Sequence, residues 1–409
     1  MHSCLFVHRD ASSGVLTEQE RAALIALRRE LHRFPELSWR EKETAERIER
    51  ALRQLGVSDV ERVCETGLIA RIPGSSGGAQ TAVRGDIDAL PIEEATGLPY
   101  TSERKGVMHA CGHDIHATWA VGAAVLLAKQ QAAGDVTVVF QPAEEVGEGA
   151  RAMIASGALE GVRAIFGGHV DRRFQVGEVV ADAGPLAASA DTFEIVLTGR
   201  GAHGARPHES ADPIVGAAAL VTALQTIVSR RLSPAAPGVV TVGTIQAGTA
   251  PNIIPETATL TGTVRATDPD TRSLLNGEVE RLAREIAGAY RLTANVKLNH
   301  GTPPLVNPVD AAAWAREAAV RVLGPQAVVP LGTTNMGGED FAVYLEHIPG
   351  AFLRIGAREP GGERHAAHSP RFYAAEDSIF VGATVLAEAA RVASAAITAR
   401  EEITRTKSE

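Results

Sequence analysis

The stretch Met108-His-Ala-Cys-Gly-His-Asp-Ile-His-Ala117 decides how the chain is read. It holds four potential metal ligands, His109, Cys111, His113 and His116, within eight residues. The apolar run from Trp119 to Leu127 follows at once and reads as a buried helix. The cluster therefore sits at a strand-to-helix turn, where ligands can converge and the helix N-terminus favours anions. The competing reading is a Cys and several His on an ordinary loop. For Cys-x-His alone that reading is the better one, so the neighbouring segments must decide.

Upstream, the strand Thr81-Ala-Val-Arg-Gly-Asp86 runs into Ile-Asp88-Ala-Leu-Pro91. Two carboxylates at a strand's C-terminal end lie where α/β folds place their sites, although alone they could be a solvated loop. Downstream, the β-branched run Val136-Thr-Val-Val-Phe140 ends in Gln-Pro-Ala-Glu144-Glu145. Adjacent carboxylates after an apolar strand are costly unless their charge is compensated, and a metal would do that. Two exposed loop glutamates are the alternative. A third apolar strand, Ala164-Ile-Phe166, is followed by Gly-Gly-His169. A lone His there is usually structural, but this one is a third potential ligand at a third strand end.

The remainder supplies the frame. The chain has 409 residues, more than one core normally serves, so two domains are expected. Its hydrophobic content of 45% and charged content of 22% are those of a soluble globular protein, and its net charge of −9 argues against nucleic acid as a partner. The cysteines are Cys4, Cys64 and Cys111, too few for a disulfide framework, and they fit a reducing, cytoplasmic setting. The N-terminal residues 1–14 show no apolar signal region, and no long charge-free apolar run suggests a membrane span. Capping boxes at Thr17–Glu20 and Ser38–Glu41 announce two early helices, with Pro35 closing the first and Gly56 ending the second. Short strands follow around Val60–Val63 and Leu68–Ile72.

From about Ala190 to Gly301 the pattern reads strand, helix, strand, strand, helix, strand. This βαββαβ order is that of a ferredoxin-like split unit, and α/β patterning resumes after it. The expected architecture is a mixed-sheet α/β domain made of residues 1–189 and 303–409, with a lid or dimerisation domain inserted at 190–302. A last helix is expected from about Glu376 to Ala396, with a frayed charged tail from Arg400.

The motifs together resemble the M20 family of metallopeptidases. The likeness is to the amidohydrolase subgroup of hippurate hydrolases, N-acyl-amino-acid amidohydrolases and plant auxin-conjugate hydrolases. It rests on Leu31-His-Arg-Phe-Pro-Glu-Leu37, Arg84-Gly-Asp-Ile-Asp-Ala-Leu-Pro91, His109-Ala-Cys-Gly-His-Asp114, Gln141-Pro-Ala-Glu-Glu145, Gly168-His169, Gly199-Arg-Gly-Ala-His203, Pro251-Asn-Ile-Ile-Pro255, Gly338-Glu-Asp-Phe341 and His368-Ser-Pro370. These segments span nearly the whole chain in order.

The resemblance implies two divalent metal ions, with zinc, manganese, nickel and cobalt all open. It implies Cys111 as the bridging ligand, His113 and His169 on one side, and Glu145 and His368 on the other. The wider family has Asp at the bridge and His at the position of Arg84. Asp86 is then expected to orient a metal ligand, Glu144 to act as proton carrier, and His203 to stabilise the oxyanion from the inserted domain of a homodimer. Asn252 and Arg265 are candidates to hold the substrate carboxylate. His109, His116, His208 and His365 read as supporting or loop residues, and Glu339 and Asp340 as loop-ordering ones.

The expected activity is hydrolysis of an N-acyl-L-amino acid or short peptide to a carboxylic acid and a free amino acid. A dipeptidase or carboxypeptidase and an N-acetyl-diaminopimelate deacetylase are alternatives. A non-catalytic metal- or ligand-binding protein is a reading from another class, and the presence of Glu144 counts against it.

Overall fold

The computed structural model describes residues 15–408. Cys4 and the leader expectation for residues 1–14 lie outside the described residues. The chain divides into two compact units. One comprises Met1–Ala183, Pro308–Pro330 and His347–Glu409; the other comprises Gly184–Asn307 and Leu331–Glu346.

The first unit is built on a seven-stranded mixed sheet. Its order is Val60–Val63, Gly67–Ile72, Val136–Gln141, Thr81–Asp86, Ala164–Gln175, Gly350–Arg358, Val179–Val180. The four strands from Val136–Gln141 to Gly350–Arg358 are parallel, so their C-terminal ends meet on one edge. Val136–Gln141, Thr81–Asp86 and Gly350–Arg358 are buried almost throughout, as strands covered on both faces are. The helix His113–Lys129 is buried almost all round and packs on Ser378–Ser408. Gly85 permits the close approach of this helix to its strand, since a Cβ there would lie 2.4 Å from the His116 carbonyl oxygen.

Thr17 caps the first helix, Glu18–Arg33, with the full reciprocal box. The second box does not form. The helix starts at Lys42, and the Glu36 carboxylate takes the Thr44 N–H at 2.7 Å. Ser38 is drawn elsewhere, donating to Asp88 Oδ2 at 2.7 Å, and Glu41 holds the Thr66 hydroxyl and the Ala143 N–H.

Two further expectations are corrected. The third strand does not stop before His169 but continues to Gln175, because it pairs with Gly350–Arg358 along that length. The last helix does not fray at Arg400; it runs to Ser408, with Arg400 paired to Asp310 and Glu401 to Arg163. By hydropathy two helices, Pro213–Arg231 and Ser378–Thr406, are long and apolar enough to cross a bilayer. The expectation of none counted only charge-free runs. Of the second helix's apolar window 72% is buried, as in a core helix.

The second unit contains a four-stranded antiparallel sheet in the order Gly238–Ala247, Thr257–Ala266, Asp191–Thr198, Thr293–Asn299. The helices Pro213–Thr226 and Pro269–Ala289 supply Leu220, Leu224, Leu275 and Val279 to its core. Chain order and strand order together are those of a ferredoxin-like split βαββαβ fold. This unit is larger than the 190–302 segment read from the sequence. Gly184–Ala187 pairs with Leu305–Asn307, and Ala187 bridges Asn335, which draws 331–346 into the same body.

Candidate metal centre

The parallel edge of the first unit gathers Cys111, His113, Glu144, Glu145, His169 and His368. Gly112, with φ +89°, turns the chain between Cys111 and the helix that starts at His113. His113 is fully buried, and its Nδ1 faces Asp88 Oδ1 at 3.2 Å. Its Nε2 points the other way, 3.7 Å from Glu145 Oε1 and 3.8 Å from Glu144 Oε2. Glu145 Oε2 lies 3.4 Å from His368 Nε2, and Cys111 Sγ lies 3.2 Å from His169 Nε2. His169 donates from Nδ1 to the Val170 carbonyl at 2.7 Å, which leaves Nε2 with its lone pair toward the thiol.

The donor atoms form overlapping groups, among them Cys111–His113–His169, Cys111–Glu145–His368 and His113–Glu144–Glu145, each within 4.8 Å of one another. Cys111 belongs to the first two. His113 Nε2 and Glu145 Oε1 are buried without a hydrogen-bond partner. Two such atoms facing each other are costly unless something sits between them. Divalent cations in this pocket would accept such lone pairs, so these residues fit the implied metals. The electrostatics agree. Burial, then the Glu145 charge, pushes the Cys111 thiol well up, and burial pushes the Glu145 carboxyl up to about 7. Positive charge at the centre reverses both tendencies. Burial also holds the His169 ring well below its ordinary value, hence neutral.

Asp86, expected to orient a ligand, lies farther from His113 than Asp88 does. Its Oδ1 accepts from His116 Nδ1 at 2.7 Å but is 3.8 Å from His113 Nδ1, and its other oxygen pairs with Arg84. Burial opposes its charge, yet Arg84 and the two rings hold its carboxyl well below the usual range. His116 Nε2 accepts the Val170 N–H at 3.0 Å, so both His116 nitrogens are hydrogen-bonded. The residue that steadies His113 is Asp88, which also takes the Glu145 N–H at 3.0 Å and the Ser38 hydroxyl. The sequence showed Asp88 as a strand-end carboxylate but gave no spacing that separated its role from that of Asp86.

His203, Asn252 and Arg265 belong to the second unit. His203 lies on the short strand Ala202–His203, in register with Ile253, and its Nδ1 accepts the Ala205 N–H at 3.0 Å. The neighbouring Gly204 N–H donates to the Asn252 carbonyl at 2.8 Å, so His203 and Asn252 sit side by side and exposed. Arg265 lies on Thr257–Ala266, in register with Val239. His208 is exposed, and His365 faces Glu363 at 3.2 Å. Glu339 accepts the Phe341 N–H at 3.0 Å and orders its own loop.

Residues 82–392 match the profile of peptidase family M20/M25/M40. The chain belongs to that family. It is 44% identical to an N-acetyl-L-cysteine deacetylase of Bacillus subtilis, over 94% of this chain and 91% of the relative. It is 37% identical to an IAA-amino acid hydrolase, ILR1-like 2, of Arabidopsis thaliana, over 90% of this chain and 84% of that one. Its fold is similar to a crystal structure of a Bacillus subtilis protein described as a dinuclear metal binding peptidase from the M20 family. There the TM-score is 0.82 at 38% identity, covering 93% of this chain and 99% of that one. The M20 chain described here is a metal-dependent hydrolase of amide bonds, and its centre takes two divalent ions.

Proposed function

We propose that this M20 hydrolase cleaves the amide bond of N-acyl-L-amino acids, releasing a carboxylic acid and a free amino acid. The observation that carries the reading is Cys111, shared by two ligand groups, with Glu144 beside them. In this reading His113 and His169 would hold one ion, Glu145 and His368 the other, and Cys111 would serve both. Metal held there would supply an acidified water and polarisation of the scissile carbonyl.

The protein's own residues do the remainder. Glu144, 3.8 Å from His113 Nε2 and outside the ligand set, takes the proton of the attacking water on a carboxylate oxygen. It then delivers that proton to the leaving nitrogen. Asp88 keeps His113 and the Glu145 backbone fixed while the proton moves. His203 stabilises the oxyanion, and Asn252 and Arg265 hold the substrate carboxylate. The Gly204–Asn252 backbone bond, which holds Asn252 beside His203, supports a joint role for those two.

The second unit also carries exposed Ile214, Val215, Val228, Ile245 and Ile253, which supports a homodimer through that unit. The resemblance to an N-acetyl-L-cysteine deacetylase and to an IAA-amino acid hydrolase supports the substrate class, since both names describe N-acylated amino acids.

The test is hydrolysis of hippurate, N-acetyl-amino acids, indole-acetyl-amino acids and dipeptides by metal-loaded protein. N-acyl amino acids are expected to be the best substrates, with activity removed by chelator and restored by metal. Turnover of dipeptides alone would replace this reading with a dipeptidase.

A further inference from the structure

The loop 91–107 lies between the strand-end carboxylates and the ligand cluster. Its ends are pinned by reciprocal Leu90–Met108 backbone bonds, both 3.0 Å. Inside it, Glu94 accepts the Ser102 N–H at 2.7 Å and the Thr96 hydroxyl. The same carboxylate is 3.3 Å from His32 Nε2, while His32 Nδ1 is 2.8 Å from Asp114 Oδ2. Asp114 directly follows the ligand His113 and is paired with buried Arg28 at 2.9 Å. Both nitrogens of a fully buried imidazole thus face carboxylates, which only the doubly protonated ring satisfies.

The next residue in the loop, Ala95, donates its N–H to the Pro370 carbonyl at 2.8 Å. Pro370 is two residues from His368. His368 itself has φ +66°, an uncommon conformation for a side-chain-bearing residue, and it is more than half exposed. A strained, exposed ligand holds its place only if its surroundings impose it. Two anchors are visible: the His368 N–H to the Ala110 carbonyl at 2.8 Å, and the Ala95 bond behind it.

We propose that Glu94, seated on His32, is a positioning residue for His368: it fixes the loop whose Ala95 N–H grips Pro370, and so sets His368 opposite Glu145. This rests on the reading of His368 as a metal ligand. Glu94 touches neither substrate nor reacting atoms. Its effect falls on the ion held by Glu145 and His368 and spares the ion held by His113 and His169.

The experiment titrates chelator-stripped protein with cobalt(II), following thiolate and ligand-field absorption together with the number of ions bound per chain. Wild type is expected to bind two ions and His368→Ala to lose one. Glu94→Ala is expected to keep the ion that His368→Ala retains at wild-type affinity and to weaken the one that His368→Ala loses about 10–100-fold, as for other residues that orient ligands. His32→Gln is expected to do the same. Glu103→Gln, on the same loop but paired with exposed Arg33, is expected to change neither. If Glu94→Ala fails to fold by circular dichroism, Glu94→Gln replaces it. Equal weakening of both ions would mean general loosening, and no change in either would mean no role; each overturns the inference while the site reading stands. A wild type that does not bind two ions, or a His368→Ala that still does, overturns the site reading and this inference with it.

Discussion

Asp86 and Asp88 stand two residues apart at the end of one strand, and both are fully buried. Their partners divide them. Asp88 serves the proposed ligands His113 and Glu145, whereas Asp86 neutralises Arg84 and fixes His116. Removing each is therefore expected to fail differently. Asp88→Ala should weaken metal binding about 10–100-fold with the fold retained, read by competition with a chromophoric chelator. Asp86→Asn removes a carboxylate charge facing a buried guanidinium and should cost about 3–5 kcal/mol of stability, read from the urea midpoint. If the two variants exchanged these phenotypes, the assignment would be wrong. The sequence displayed the candidate donor residues themselves, because Cys, His and Glu in short motifs form a recognisable chemical set. It did not display which aspartate steadied which imidazole. That depends on rotamers and on a neighbouring strand, neither of which leaves a trace in spacing.

At the scale of elements, the sequence read the helices well where a local signal decided them. Thr17 and Glu20 close their box within one turn and need nothing else. Ser38 and Glu41 carry the same pattern, but Asp88, Thr66 and Ala143 compete for their side chains and win. Local propensity yields there to tertiary bonds that hold the site. The helix Glu18–Arg33 also contributes His32 to the site's buried charge network. Burial opposes the His32 charge, but Asp114 and Glu94 outweigh it and raise its value above 6.5. The folded chain therefore binds this proton more tightly than the unfolded chain. The resulting stability is fully present below about pH 6.5 and is lost as pH rises through the folded value. Urea midpoints of chelator-stripped protein should fall from pH 6 toward pH 9, and His32→Gln should flatten that slope. A slope unchanged by the substitution would remove His32 as its source.

At the scale of the whole molecule, the two-unit organisation was legible because the βαββαβ pattern interrupts α/β patterning. Its limits were not. Short strands such as Gly184–Ala187 and Leu305–Asn307 carry too few residues to show a period, and their pairing enlarges the second unit. The metal centre, by contrast, draws on residues 88 to 368 and ties distant parts of the first unit together. Ions bound there at about 100 times their dissociation constant should add about 2.7 kcal/mol per site. Calorimetry should accordingly show a lower melting temperature after chelation and recovery on adding metal; identical melting with and without metal would mean that the centre is not occupied.

The most direct test of the account is Glu144→Gln, with ion content and turnover of an N-acyl amino acid measured on the same preparation. The account predicts two ions per chain, as in wild type, and a turnover number lower by about 10²–10⁴-fold or more. Turnover within a few-fold of wild type would contradict it, and so would loss of an ion, since Glu144 would then be a ligand and not the proton carrier.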